Sequence, residues 1–187
     1  HGVKEIVLNG INLGTYRNAG RGIDEVVNRL NGIPGLGRIR ISSIDVTTIP
    51  EALLAMMADP NHALTPFLHI PLQSGSDAVL KRMNRKYTRN GFIDLIERAA
   101  RSVPNLCIGT DVLVGFPGET DDDFADTCSI IADHPVTYAH VFKYSDRKGA
   151  PAERMGPKVA PAVAARRSEQ VRASSAKKLD AFQRSFA

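Results

Sequence analysis

Hydrophobic residues gather in five short runs along this chain: Glu5 to Leu8, Arg38 to Ile44, Phe67 to Ile70, Cys107 to Val114 and Ala139 to Phe142. Runs of this length between turn-forming residues read as β-strands. Between them the apolar spacing changes to a period near 3.6, which predicts helices. Each spacer is long enough for a helical crossover and too long for a hairpin, so a parallel sheet covered by helices is the economical arrangement.

The expected helices run from Gly22 to Leu30, from near Thr48, from near Ser76, from Asn90 towards Ser102, from Thr120, and from Pro161 to Phe186. Thr48 followed by Glu51, and Thr120 followed by Asp123, offer an oxygen cap and an acidic third residue to unpaired backbone N–H groups. After Tyr144, "SDRKGAPAERMGPKVAP" reads as an extended connector. The final helix carries only Val171, Leu179, Phe182 and Phe186 as an apolar stripe, so it is expected to pack on one surface.

With 187 residues the chain is long enough for one sizeable core. No apolar run approaches the roughly 18 residues of a membrane span, and no basic-then-apolar leader opens the chain; the cytosol is the expected location. A net charge of +4 permits an anionic partner without demanding one. Cys107 and Cys128 form neither a disulfide framework nor a close-spaced metal motif and read as two buried thiols. The strand in "VKEIVLNG" begins at once, a start compatible with a complete protein and with a piece of a larger one.

In parallel α/β architectures ligands gather beyond the carboxyl ends of the strands. Here those ends read "LNGINLG", "RISSID", "HIPLQSGSD", "GTDVLVGFPGE" and "VFKYSD", rich in small and hydrogen-bonding residues. Gly10, Asn12 and Gly14 suit turns as well as ligand contact. Ser42 and Ser43 suit a strand as well as a site. Gln73 offers donor and acceptor, Gly75 permits close backbone approach, and Ser74 or Ser76 can meet an anion or cap a helix. His69 reads as a packed strand residue, since no second histidine or cysteine supports metal binding. Asp111 must pair, meet water or bind something if it points inward. Glu119 either offsets a helix dipole or contacts a ligand.

Neither the phosphate-loop pattern nor a Gly-x-Gly-x-x-Gly after the first strand is present, which argues against a nucleotide pyrophosphate cradle. "LKRMNRKYTR" places Lys81, Arg82, Arg85, Lys86 and Arg89 around Tyr87, suited to phosphate contact with base stacking or to a solvated surface. The later series Arg166, Arg167, Arg172, Lys177, Lys178 and Arg184 reads as a solvated helix face.

Five ordered motifs, "EIVLNGINLG", "RIRISSID", "LHIPLQSGSDAVLKRMNRKYT", "IGTDVLVGFPGETDDDF" and "HVFKYSDRKGAPA", closely resemble the tRNA methylthiotransferases, which are radical S-adenosylmethionine enzymes. The resemblance runs from Lys4 to Phe186 and is greatest to the branch acting on N6-threonylcarbamoyladenosine. Asp45-Val46 departs from the glutamate and proline expected there. The branches for isopentenyl-modified adenosine and for a ribosomal protein are the alternatives within the family. Outside it, the alternatives are a non-radical α/β enzyme and a non-catalytic nucleic-acid-binding module.

The resemblance implies an α/β fold, an incomplete (β/α)6 three-quarter barrel of parallel strands lacking the first strand and its cluster loop. Residues 1–144 would be strands two to six of the barrel, and 145–187 a connector and helix leading to an RNA-binding domain. The parent enzyme would use S-adenosylmethionine and two [4Fe–4S] clusters to insert a methylthio group at C2 of the modified adenosine beside the anticodon. This chain, without the cluster cysteines, would bind no cluster and be inactive alone. Gly10 and Asn12 would lie near the methionine end of the cofactor, Ser43, Gln73 and Ser74 in its polar surroundings, and Asp111, Gly115 and Glu119 nearer the nucleoside. Lys81, Arg82, Arg85 and Arg89 would contact tRNA. A bare first-strand edge or the last helix would let copies pair.

Overall fold

In the computed structural model, which describes residues 2–187, strands and helices alternate as the sequence periodicity predicts. The strands are β1 (Glu5–Leu8), β2 (Arg38–Ile41), β3 (Phe67–His69), β4 (Cys107–Val114) and β5 (Tyr138–Lys143). The helices are α1 (Ile23–Asn31), α2 (Glu51–Ala58), α3 (Asp77–Arg82), α4 (Arg89–Ser102), α5 (Asp121–Asp133) and α6 (Pro161–Arg184).

All strand pairs are parallel. β1 pairs with β2, and β3, β4 and β5 form a second ladder. An isolated bridge from Ile39 to Leu64 and a 3.1 Å bond from Ile44 N–H to the His69 carbonyl join the two ladders. The spatial order therefore follows chain order, and the sheet does not close on itself. Leu68, Ile70, Ile108, Val112 and Val114 are buried on the face covered by helices, against Phe92, Ile96 and Ile130. The opposite face is open and carries Glu5, Arg40, His69, Asp111 and His140.

Local chemistry sets most boundaries. Thr120 and Asp123 exchange bonds of 3.1 and 2.9 Å, completing the expected capping box at the start of α5. Thr88 caps α4 and Ser76 caps α3 through their hydroxyls. The Thr48 cap is corrected: α2 starts only at Glu51, with Pro50 at the N-cap. Pro50 has the φ of −67° that its ring imposes, and the Thr48 hydroxyl is spent on Asn12 Oδ1 at 3.0 Å. β2 ends at Ile41 rather than Ile44, because the chain then crosses to meet β3.

α6 closes the far side. Val171 joins the main core, and polar side chains of α6 bond the free backbone edge of β5. Ser175 accepts from Ala139 N–H at 2.7 Å and donates to its carbonyl at 3.3 Å, while Arg172 donates to the Val141 carbonyl at 2.8 Å. The helix thus satisfies groups that another strand would otherwise take.

Candidate functional site

Alternation along the strands puts every second side chain on the open face. There Ser42, Ser43, Phe67, His69, Asp111 and His140 line a cavity of about 580 Å³ together with Glu5 and Arg40. Glu5 accepts from Arg38 at 3.0 Å and from Arg40 at 2.9 Å, so both guanidinium groups are engaged at this rim. His69 Nε2 lies 3.1 Å from Asp111 Oδ1. The His69 and His140 rings are 5.6 Å apart, and Tyr138 meets His140 edge-on at 5.2 Å. A Cβ added to Gly109 would collide with the Tyr138 ring, so the phenol lies over the gap the glycine leaves. Burial, with the nearby Cys107 and Asp111, pushes the Tyr138 phenol up.

A second constellation forms at the end of β4. Gly115 and Gly118, with φ of +77° and +79°, turn the chain back on itself in a region disfavoured for other residues. The turn brings Glu119 Oε2 to 2.7 Å from Gly115 N–H. The same oxygen takes Arg167 Nη1 at 2.6 Å, and Arg167 Nη2 reaches Asp121 at 2.7 Å. The Glu119 and Arg167 side chains are only 1% and 5% exposed. Burial pushes the Glu119 carboxyl up while the Gly115 amide and Arg167 pull it down, and the two short charge-assisted bonds fit a carboxylate. Gly115 also borders a cavity of about 510 Å³ with Tyr144, Asp146, Lys158 and Ala164.

The sequence-predicted site residues fall into four places. Ser43 and Asp111 share the open-face cavity. Gln73 joins them through the backbone: its N–H donates to the Asp111 carbonyl at 2.7 Å and its own carbonyl accepts from Leu113 at 2.9 Å. Its φ of +66° is strained for a non-glycine residue, and its side-chain amide makes no hydrogen bond among the described residues. Gly115 and Glu119 share the β4 turn. Gly10 and Asn12 lie past β1, where Asn12 accepts from Gly14 N–H at 3.2 Å.

Ser74 points away from the open face. It is fully buried near Thr127 of α5, whose hydroxyl accepts from Gly75 N–H at 2.8 Å. A Cβ at Gly75 would lie 2.5 Å from the Asp126 carbonyl, so this glycine serves close packing.

The basic cluster divides as well. Lys81 and Arg85 are exposed and make no ion pair among the described residues. Arg82 donates to the Gly118 carbonyl at 3.0 Å. Arg89 turns inward to the carbonyls of Gly75 and Asp126 at 3.0 and 2.6 Å and to Ser129 at 2.7 Å. Tyr87, expected at an exposed junction, is instead buried, donating to the carbonyls of Pro71 and Leu72, and burial pushes its phenol up to about 12.

Tyr138, His140 and Arg167 were not among the sequence candidates. The first two share the open face because they are two positions apart on a strand, a signal legible once the strand's faces are known. By sequence Arg167 reads as part of a solvated face, and no local pattern distinguishes it from Arg166.

Among the described residues no three His, Cys, Asp or Glu side chains come together as a metal site, and Cys107 and Cys128 are separate half-buried thiols. These residues do not fit an iron–sulfur cluster. Among the described residues no helix is long and apolar enough to cross a membrane.

Parallel strands in chain order, helices on one face and polar side chains at strand ends and on the open face define an α/β barrel-type protein. The sequence pattern of the radical SAM superfamily matches residues 1–131, and the chain belongs to that superfamily. Within it, the chain is 45% identical over 147 residues to the threonylcarbamoyladenosine tRNA methylthiotransferase MtaB of Chlamydia pneumoniae, covering 79% of this chain and 35% of the relative. The protein of the same description from Bacillus subtilis is 42% identical over 160 residues, covering 82% and 35%. The chain thus spans about a third of the length of these curated relatives.

Two solved structures share the fold. Methanocaldococcus infernus Elp3 with an N-terminal deletion aligns with a TM-score of 0.61 at 11% identity, over 91% of this chain and 44% of its own. Streptococcus suis SuiB aligns with a TM-score of 0.58 at 12% identity, over 89% and 35%. The α/β reading, with an unclosed parallel sheet of the radical SAM barrel type, is borne out.

Proposed function

We propose that this chain is the strand-bearing centre of a tRNA methylthiotransferase acting on N6-threonylcarbamoyladenosine beside the anticodon. The 42–45% identity to two proteins of that description carries the reading, since it extends over about four fifths of the chain. In this proposal residues 1–144 form barrel core and 145–187 lead towards an RNA-binding part.

S-adenosylmethionine, when bound, supplies the radical chemistry of the superfamily. The chain's own residues bind and orient. Gln73 and Ser43 present uncommitted polar groups beside Asp111. The Glu119–Arg167 pair fixes the Gly115 turn at the rim. The described residues offer no ligand set for an iron–sulfur cluster.

Lys81 and Arg85, exposed and without an ion pair among the described residues, are cations offered to tRNA phosphates. The double substitution to glutamate is expected to weaken tRNA binding and to flatten its salt dependence by roughly 0.9 for each phosphate no longer neutralised. An unchanged slope removes these residues from the interface.

The reaction itself is tested by expressing the complete gene in a host lacking this modification and analysing tRNA nucleosides by mass spectrometry. A 2-methylthio derivative of N6-threonylcarbamoyladenosine is the expected product. Its absence, or a methylthio group on a different nucleoside, overturns the assignment.

A further inference from the structure

Two arginines hold the turn after β4, and their own surroundings differ. The Arg167 side chain of α6 is 5% exposed and reaches two carboxylates, Glu119 at 2.6 Å and Asp121 at 2.7 Å. The Arg82 side chain, at the last residue of α3, is 34% exposed. Its one hydrogen bond among the described residues goes to the Gly118 carbonyl, at 3.0 Å. Asp123 stands 3.7 Å away, with its own oxygens engaged by the Ser76 hydroxyl and the Thr120 N–H. Arg82 Nε is buried with no acceptor among the described residues. A guanidinium bonded to a neutral carbonyl is held less strongly than one bonded to carboxylates.

Arg82 also has two cations beside it that lack such ties. Lys81 precedes it, and Asn84, at a φ of +56°, turns the chain so that the Arg85 N–H meets the Leu80 carbonyl at 2.9 Å. Arg85 is thereby folded back against the last turn of α3. Both Lys81 and Arg85 are exposed.

We propose that Arg82 is a labile brace: a phosphate group drawn to Lys81 and Arg85 takes its guanidinium from the Gly118 carbonyl, so that RNA docking on α3 loosens the β4 turn. The inference rests on the tRNA-modifying reading above, which supplies the phosphate. A guanidinium fork matches phosphate geometry, and the resulting charge-assisted bonds are roughly twice as strong as neutral ones. Outward movement gives up one bond to a carbonyl and strands no further donor, because Nε is unpaired already. Asp123 keeps its bonds from Ser76 and Thr120. Phosphate meets only the outward arrangement, and a ligand that prefers one of two arrangements shifts the balance towards it. Arg167 and Glu119 remain in place, so the loosening is confined to the Gly118 side of the turn. Since Gly115 of that turn borders the 510 Å³ cavity, docking on α3 is linked to the shape of this rim.

The test uses the 187-residue chain labelled with nitrogen-15, titrated with an unmodified anticodon stem-loop RNA and followed by NMR. The Arg82 Nε–H signal is expected to shift saturably. With RNA bound, the Gly118 and Glu119 amides should exchange about tenfold faster, while the Gly115 amide, held by Glu119, keeps its rate. Arg82→Ala should show the faster exchange without RNA, and RNA should then add nothing. Arg82→Gln keeps a donor for the carbonyl and offers phosphate no charge, so its exchange should stay slow with or without RNA.

RNA binding that leaves the Arg82 Nε–H and the Gly118 amide unchanged overturns the proposal, as does slow exchange in Arg82→Ala. Pyrophosphate at constant ionic strength is the second probe. A response to pyrophosphate without RNA binding supports the exchange of partners at Arg82 and overturns RNA as the source of the phosphate. No response to either probe overturns both. Because this assay involves no turnover, its failure leaves the nucleoside analysis standing.

Discussion

Arg167 and Glu119 concentrate in one contact a charge balance that a single substitution can break. Arg167→Met leaves a carboxylate buried with only the Gly115 amide for company, and removing one partner of a buried pair costs about 3–5 kcal/mol. Urea denaturation should show that loss, and adding Glu119→Gln should recover part of it, because the stranded charge is then gone. Equal losses in the single and double variants would mean that the pair is not coupled. Asp123 makes the complementary case. Burial pulls its carboxyl upward, but bonds from the Ser76 hydroxyl and the Thr120 amide, with Arg82 nearby, hold it below the ordinary aspartate range. A depressed folded-state value contributes stability that is present above the ordinary range of about 3.9 and is lost as pH falls through the depressed value. Asp123→Asn should therefore narrow the stability difference between neutral and acidic solution, read as urea midpoints against pH.

At the scale of elements, two threonines with the same spacing to an acid behave differently. Thr120→Ala removes a working capping box and is expected to cost about 0.5–2 kcal/mol, with faster amide exchange in the first turn of α5. Thr48→Ala should leave the start of α2 unchanged and loosen the short turn at Leu13–Thr15, where Asn12 holds the Thr48 hydroxyl. The contrast marks what the sequence could convey. Apolar periodicity is a property of neighbouring residues, and it located β1, β4 and the helices from α3 to α6 within a residue or two. The β4 turn was legible for the same reason, since Gly115 and Gly118 meet a local backbone need. Whether Thr48 caps a helix or bonds Asn12, 36 positions away, depends on tertiary placement, as does the inward turn of Arg89. The open-face rings come from β3 and β5, so the grouping of His69 with Tyr138 and His140 emerges only with the register.

For the whole molecule, the two ends of the sheet differ. Among the described residues β1 pairs only with β2, and Val7 within it and Ile11 just past it are exposed, Ile11 fully so. A strand with one open edge and exposed apolar side chains favours association between copies. Light scattering should therefore show the mass rising with concentration, and lysines at Val7 and Ile11 should suppress the rise. A constant monomer mass for the unaltered chain would refute this. The other end behaves unlike the first, because Ser175 occupies the N–H and carbonyl of Ala139 and Arg172 the carbonyl of Val141. In effect α6 is a terminator for the sheet, much as a blocked unit ends a growing polymer. Among the described residues, a further strand meets less obstruction beside β1 than beside β5, so lengthening of the arc is favoured in one direction.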